Sequence, residues 1–81
     1  MKLIPVIVRT HSGYKADERP TSIVQENKEF IVEDVTDRWY QGDLNPEFPP
    51  ADYFRVKTSD TMELIIKHDL RSDSWYLCIQ D

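Results

Sequence analysis

Apolar and polar residues alternate along short stretches of this chain, and no apolar repeat of 3.6 residues persists beyond about two turns. Runs rich in β-branched and aromatic residues, separated by Gly, Pro, Asp, Asn and Ser, predict six strands, at residues 3–10, 21–25, 30–40, 53–58, 62–68 and 75–80. Residues 11–20, 26–29, 41–52, 59–61 and 69–74 read as the turns and loops between them.

Parity fixes a register for the last three strands. Residues opposite one another in an antiparallel pair share a face, and a one-residue slip turns every side chain over. A three-residue turn at Ser59, Asp60 and Thr61 pairs Val56 with Leu64, Phe54 with Ile66 and Lys57 with Glu63. Every pair then matches, one of them in opposite charge. Such a turn usually wants glycine at its left-handed position, and none is present there. In the next hairpin His68 faces Trp75, Ile66 faces Leu77 and Leu64 faces Ile79, all on one apolar side. The other side carries Lys67 beside Tyr76 and Ile65 beside Cys78, which is too apolar for an ordinary solvated face. A partner covers it, or the sheet closes into a barrel with loops over it.

Within 30–40 the phase changes: Phe30 and Val32 share one parity, Val35 and Trp39 the other. A strand that swaps faces midway contains a bulge, and a bulge bends a sheet onto itself. The expected fold is therefore all-β, a single antiparallel curled sheet or small barrel of five to six strands, an SH3-like or OB-like roll. Its expected core is Val6, Val8, Ile23, Phe30, Val32, Val35, Trp39, Phe54, Val56, Leu64, Ile66, Trp75, Leu77 and Ile79. The loop over 41–52, with Gly42, Asn45 and three prolines, has Leu44 and Phe48 to pin it against a barrel end.

Length limits this to one domain over residues 1–81. The net charge of −5 disfavours a phosphate backbone as ligand and a polybasic membrane anchor. The single cysteine, Cys78, rules out an intrachain disulfide and a CxxC zinc pair. Pro5 interrupts the apolar start and Arg9 follows it, which suits a strand better than an export signal, so a cytoplasmic location is expected.

Enzyme chemistry finds little support. His68 falls on the apolar side of its strand, His11 opens a polar loop, and Cys78 lies on the face opposite His68. The acids Glu33, Asp34 and Asp37 have no neighbouring histidine, and no metal, phosphate or hydrolase motif is present. No cofactor and no metal is expected. The candidate binding residues are Tyr14, Lys15 and Arg19 in the first loop, with Arg38, Tyr40, Tyr53 and Arg55 on neighbouring strands. Tyrosine beside arginine favours recognition, because the ring offers area at low entropic cost and guanidinium stacks on it. The same groups also read as a solvated strand face, its arginines paired with Asp37, Glu33 and Glu63.

The order SGYKADERP, DRWY, YFRV, KHD and DSWYL, running from Ser12 to Leu77, resembles a group of short prokaryotic cytoplasmic proteins. These carry an RWY strand, a YF-V strand and a terminal W-L strand, and form a domain of unknown function. The resemblance implies a small cytoplasmic β protein and assigns no catalytic or binding residue. The expected function is a non-enzymatic binding or protein-interaction module, with a protein partner or self-association as a homodimer. Single-stranded nucleic-acid binding through the Tyr/Arg face is the alternative. A small enzyme using His68 or His11 is a second.

Overall fold

The computed structural model describes residues 2–12, 18–42 and 49–80. These residues form six antiparallel strands and no helix: β1 (Lys2–Ser12), β2 (Glu18–Gln25), β3 (Lys28–Gln41), β4 (Ala51–Thr58), β5 (Glu63–Asp69) and β6 (Ser74–Ile79). They close in sequence order into a barrel, β6 returning to β1. The all-β small barrel expected from parity is the observed fold.

Two long strands turn the corners. β1 pairs with β6 through Lys2–Val6 and then with β2 through Ile7–Ser12. β3 pairs with β2 through Lys28–Ile31 and then with β4 through Val32–Gln41. Irregularities mark the bends, one at Arg9/Thr10 of β1 and two in β3, at Val32/Asp34 and Val35/Asp37. Each adds a residue to one strand, which raises its twist and lets six strands enclose a core.

That core is built from alternate residues. Ile23, Phe30, Phe54, Val56, Ile66 and Leu77 are buried together, with Ile4, Val6, Val8, Val32, Val35, Leu64 and Trp75 packed against them. Twelve of the fourteen expected core positions lie in this set. Two do not. Trp39 is 37% exposed and lies outside the barrel, because the second irregularity of β3 turns its parity over again. Thr36 sits at that step, its Oγ1 donating to the Arg55 carbonyl at 3.2 Å. Ile79 is 36% exposed, as the last residue of β6.

The β4–β5 hairpin has the expected three-residue turn. The Thr61 N–H donates to the Thr58 carbonyl and the Thr58 N–H to the Met62 carbonyl, which is a type I turn closed by a bulge. Thr61 takes the left-handed position at φ 67 in place of the missing glycine. Thr58 supports the turn from inside: its buried hydroxyl donates to the Asp60 carboxylate and accepts from the Met62 N–H. The pairs Val56–Leu64, Phe54–Ile66 and Lys57–Glu63 follow as read from parity, as do His68–Trp75, Ile66–Leu77, Lys67–Tyr76 and Ile65–Cys78. Leu44 and Phe48, expected to pin the 41–52 loop, lie outside the described residues.

Candidate interaction face

The register sorts the side chains of the five-strand stretch β3–β4–β5–β6–β1 into rows that cross the strands. On the outer face one row reads Trp39, Tyr53, Lys67, Tyr76 and Pro5. The row beside it reads Asp37, Arg55, Ile65, Cys78 and Leu3. Opposite residues on neighbouring strands are near enough to touch, so each row is a continuous ribbon of side chain. The Trp39 and Tyr53 rings stack in parallel, centroids 5.4 Å apart and planes 2° from one another. The Lys67 ammonium lies 5.9 Å from the Tyr53 centroid. The Tyr53 hydroxyl donates to Gln41 Oε1 at 2.9 Å, which ties the ring to the end of β3.

Ile65, Tyr76 and Cys78 are half-buried, and Leu3 and Trp39 are exposed. Burial pushes the Cys78 thiol above its ordinary value, with nearby Lys67 pulling the other way. The thiol is therefore a protonated, apolar element of this face near neutral pH and a weak nucleophile.

The inner face at the same end of the barrel holds a second constellation. Tyr40, Asp52, His68 and Trp75 stand opposite one another across β3–β6, with Arg38 and Phe54 in the adjacent row. The Arg38 guanidinium lies over the Phe54 ring at 5.1 Å and contacts Asp52 at 3.4 Å. The His68 ring stacks on Trp75, centroids 4.0 Å apart and planes 3° from parallel. Its Nε2 meets Asp73 Oδ1 at 2.6 Å. His68 is thus within hydrogen-bond reach of a carboxylate, one requirement of the enzyme alternative. The ring is also buried, with one face covered by Trp75 and its Nε2 held by Asp73. These contacts fix the β5–β6 hairpin. Asp69 reinforces the same turn by accepting from the N–H groups of Arg71 and Ser72.

The structure divides the seven sequence candidates. Tyr14 and Lys15 lie outside the described residues. Arg19 is exposed on β2 opposite His11. Tyr53 and Arg55 point outward, in the two rows described above. Arg38 and Tyr40 belong to the inner side, and the cause is again the second irregularity of β3. The four residues therefore do not share one surface. Tyr40 is 61% exposed at the barrel rim, its ring folded back over Gly42, where a Cβ would stand 3.2 Å from it.

The outer face also gains residues that were not among the candidates. Lys67, Tyr76, Ile65 and Cys78 were legible as an unusually apolar side, whereas Trp39 was hidden by the uncounted irregularity. Pro5 and Leu3 joined it only through closure of β1 onto β6, which no short turn announces.

Among the described residues, no group of three or more His, Cys, Asp or Glu is placed to hold a metal ion. No helix among them is long and apolar enough to cross a membrane. No protein-family model matches the chain, and neither does any curated protein or solved structure.

Proposed function

We propose that this chain is a non-enzymatic protein-interaction module that docks through the outer face of its five-strand sheet. One observation carries the reading: two adjacent cross-strand rows, from Trp39 to Pro5 and from Arg55 to Leu3, hold aromatic, aliphatic and thiol groups at every position but Lys67 and Arg55, where a solvated face would be polar throughout. Five strands about 4.8 Å apart and two rows about 7 Å apart give a patch on the order of 300 Å². An apolar patch of that size is within the range of the largest patch on a typical monomer, about 300–600 Å², which is often functional.

A second copy of the chain is the occupant that best suits the patch. It is flanked by both signs of charge, Asp37 with Arg55 and Glu63 with Lys57, so a two-fold operation can set unlike charges against each other. Two sheet faces packed about 10 Å apart would enclose the aromatic row in a small second core. A patch this small supports a weak association rather than a permanent dimer. Sedimentation velocity from 10 µM to 1 mM, orders of magnitude chosen to span weak affinities, is the test. The weight-average coefficient should climb with concentration, and Ile65→Lys should hold it at the monomer value. A concentration-independent monomer over that range would remove this reading.

Single-strand nucleic-acid binding ranks second. The aromatic row on a sheet favours it, since bases stack on such platforms. Against it, Trp39 and Tyr53 already cover one ring face of each other, and the chain is acidic overall. Salt-sensitive binding of a short oligonucleotide, lost in Tyr53→Ala, would promote it over the protein-docking reading.

A further inference from the structure

Where β3 turns the barrel's corner, one of its flanks is left open. Its β2 side is paired from Lys28 to Ile31, and beyond that point no strand among the described residues pairs with it there. β4 follows its other side as far as Gln41. Residues 36–41 are all exposed, on both faces of the strand. The two irregularities of β3 break its ladder up to Asp37 and leave 37–41 regular, a stretch about 17 Å long. It contains no proline and no lysine, the residues that commonly blunt a sheet edge.

Two hydrogen bonds fix the direction of the backbone along this stretch. The Thr36 hydroxyl donates to the Arg55 carbonyl, so that carbonyl points at β3 and Asp37–Arg55 is a hydrogen-bonded pair of the ladder. Backbone groups alternate in direction along a strand. Asp37, Trp39 and Gln41 therefore turn theirs to β4, while Arg38 and Tyr40 turn theirs to the open side. The Arg38 N–H agrees, since it donates at 2.9 Å to the carboxylate of its neighbour Asp37. That carboxylate takes the place where the carbonyl of an added strand would arrive.

We infer that residues 37–41 are a strand-addition site for a basic, extended segment of another protein. N–H and C=O groups facing outward at alternate residues call for the same groups on the occupant, which an extended polypeptide supplies. In an antiparallel arrangement, residues k−1 and k+1 of the segment exchange hydrogen bonds with Tyr40 and Arg38, and Asp37 is displaced from the Arg38 N–H. Residue k then stands opposite Trp39 and residue k+2 opposite Asp37, both on the outer side. A β-branched residue at k packs against the indole, whose other face rests on Tyr53. Lysine or arginine at k+2 continues an alternation of charge, because Asp37 then lies between it and Arg55. Glu33 and Asp34, exposed on the same strand, and the acidic balance of the whole chain favour a base in that place. An added strand extends the sheet instead of covering its outer face, so the inference does not depend on self-association.

The test is an amide-resolved NMR titration of the full chain, in dilute solution, with a blocked heptapeptide of alternating threonine and valine that carries lysine two residues after its central valine. The control is the same peptide N-methylated on the two residues flanking that valine, which removes the N–H groups aimed at the edge and keeps every side chain. Shifts should concentrate at residues 37–41, and hydrogen exchange of the Tyr40 amide should slow at least about tenfold. The N-methylated peptide should bind at least about tenfold more weakly, and glutamate in place of the lysine should cost about threefold at low salt. Tyr40→Pro removes the outward N–H but no ladder bond, and should abolish binding in a chain that still folds. Tyr40→Ala keeps the N–H and should hold affinity within about threefold. No binding, equal binding of the N-methylated peptide, or shifts centred away from 37–41 would each overturn the inference. So would slowing of the Tyr40 amide with protein concentration alone, which would assign the edge to a second copy. The self-association reading fails or stands separately, because its sedimentation test turns on Ile65, two strands away from this edge.

Discussion

Replacing Ile66 and Ile65 one at a time by alanine probes the register at its most sensitive place. The two are neighbours in β5 and chemically identical, but Ile66 is fully buried in the barrel and Ile65 is half-buried on the outer face. Removing the Ile66 side chain beyond Cβ forfeits its transfer energy and leaves a cavity against Phe54 and Leu77, its cross-strand neighbours. Substitutions of this kind cost about 3–4 kcal/mol. The same change at Ile65 opens no cavity and exposes roughly half the area, for about 1 kcal/mol. At about 0.05–0.15 kcal/mol per residue, a domain of this length has a total stability of about 4–12 kcal/mol. Ile66→Ala should therefore approach the limit of folding. With 4–8 °C lost per kcal/mol for domains this small, its melting temperature should drop by about 20 °C and that of Ile65→Ala by about 6 °C. Thermal melts followed by far-ultraviolet circular dichroism, in dilute solution where self-association is negligible, read both. Equal losses, or a larger loss at Ile65, would refute the parity on which the barrel rests.

Two smaller effects follow from the hairpin ends. Thr61→Gly should raise stability by up to about 1 kcal/mol, because a β-branched residue at φ 67 is strained and glycine is not, though glycine's freedom in the unfolded chain offsets part of the gain; a denaturant titration in which the variant is clearly weaker would contradict the turn described. For Asp69, burial disfavours the charged form, but the N–H groups of Ser72 and Arg71, with Lys67 nearby, outweigh it and hold the carboxyl below its ordinary 3.8. A carboxyl lowered on folding contributes stability that is complete above the ordinary value and is lost as pH falls through the folded one. Asp69→Asn should therefore cost a little at pH 7 and nothing once pH is well below 3.8, and a constant difference across that range would count against the assignment.

Much of the architecture was legible because the hairpins in the C-terminal half are local. Phe54, Val56, Leu64, Ile66 and Leu77 alternate without interruption, turns of a few residues join their strands, and only one register buries them all. The expectation of a bulge in β3 was likewise correct, since the parity of Phe30 and Val32 conflicts with that of Val35. A second irregularity three residues later was not legible. Thr36 and Asp37 carry no apolar signal that would expose it, so Trp39 was placed inside and Arg38 and Tyr40 outside. Closure of β1 onto β6 links opposite ends of the chain and leaves no local trace, which is why Pro5 and Leu3 were absent from the expected face. His68 was legible on the apolar side of its strand opposite Trp75, but the partners of the buried polar residues Thr58 and His68 were not. Their burial is paired with hydrogen bonds to Asp60 and Asp73, acids in turns whose geometry composition does not specify.

Soluble paramagnetic relaxation of methyl and ring protons at about 20 µM and about 1 mM protein, low and high on the scale of weak association, bears most directly on the outer face as a docking surface. Leu3, Ile65 and Tyr76 should be bleached in the dilute sample and shielded in the concentrated one, while Leu64, Ile66 and Leu77 stay shielded in both. Equal bleaching of Leu3 and Ile65 at the two concentrations, or exposure of Ile66, would contradict it.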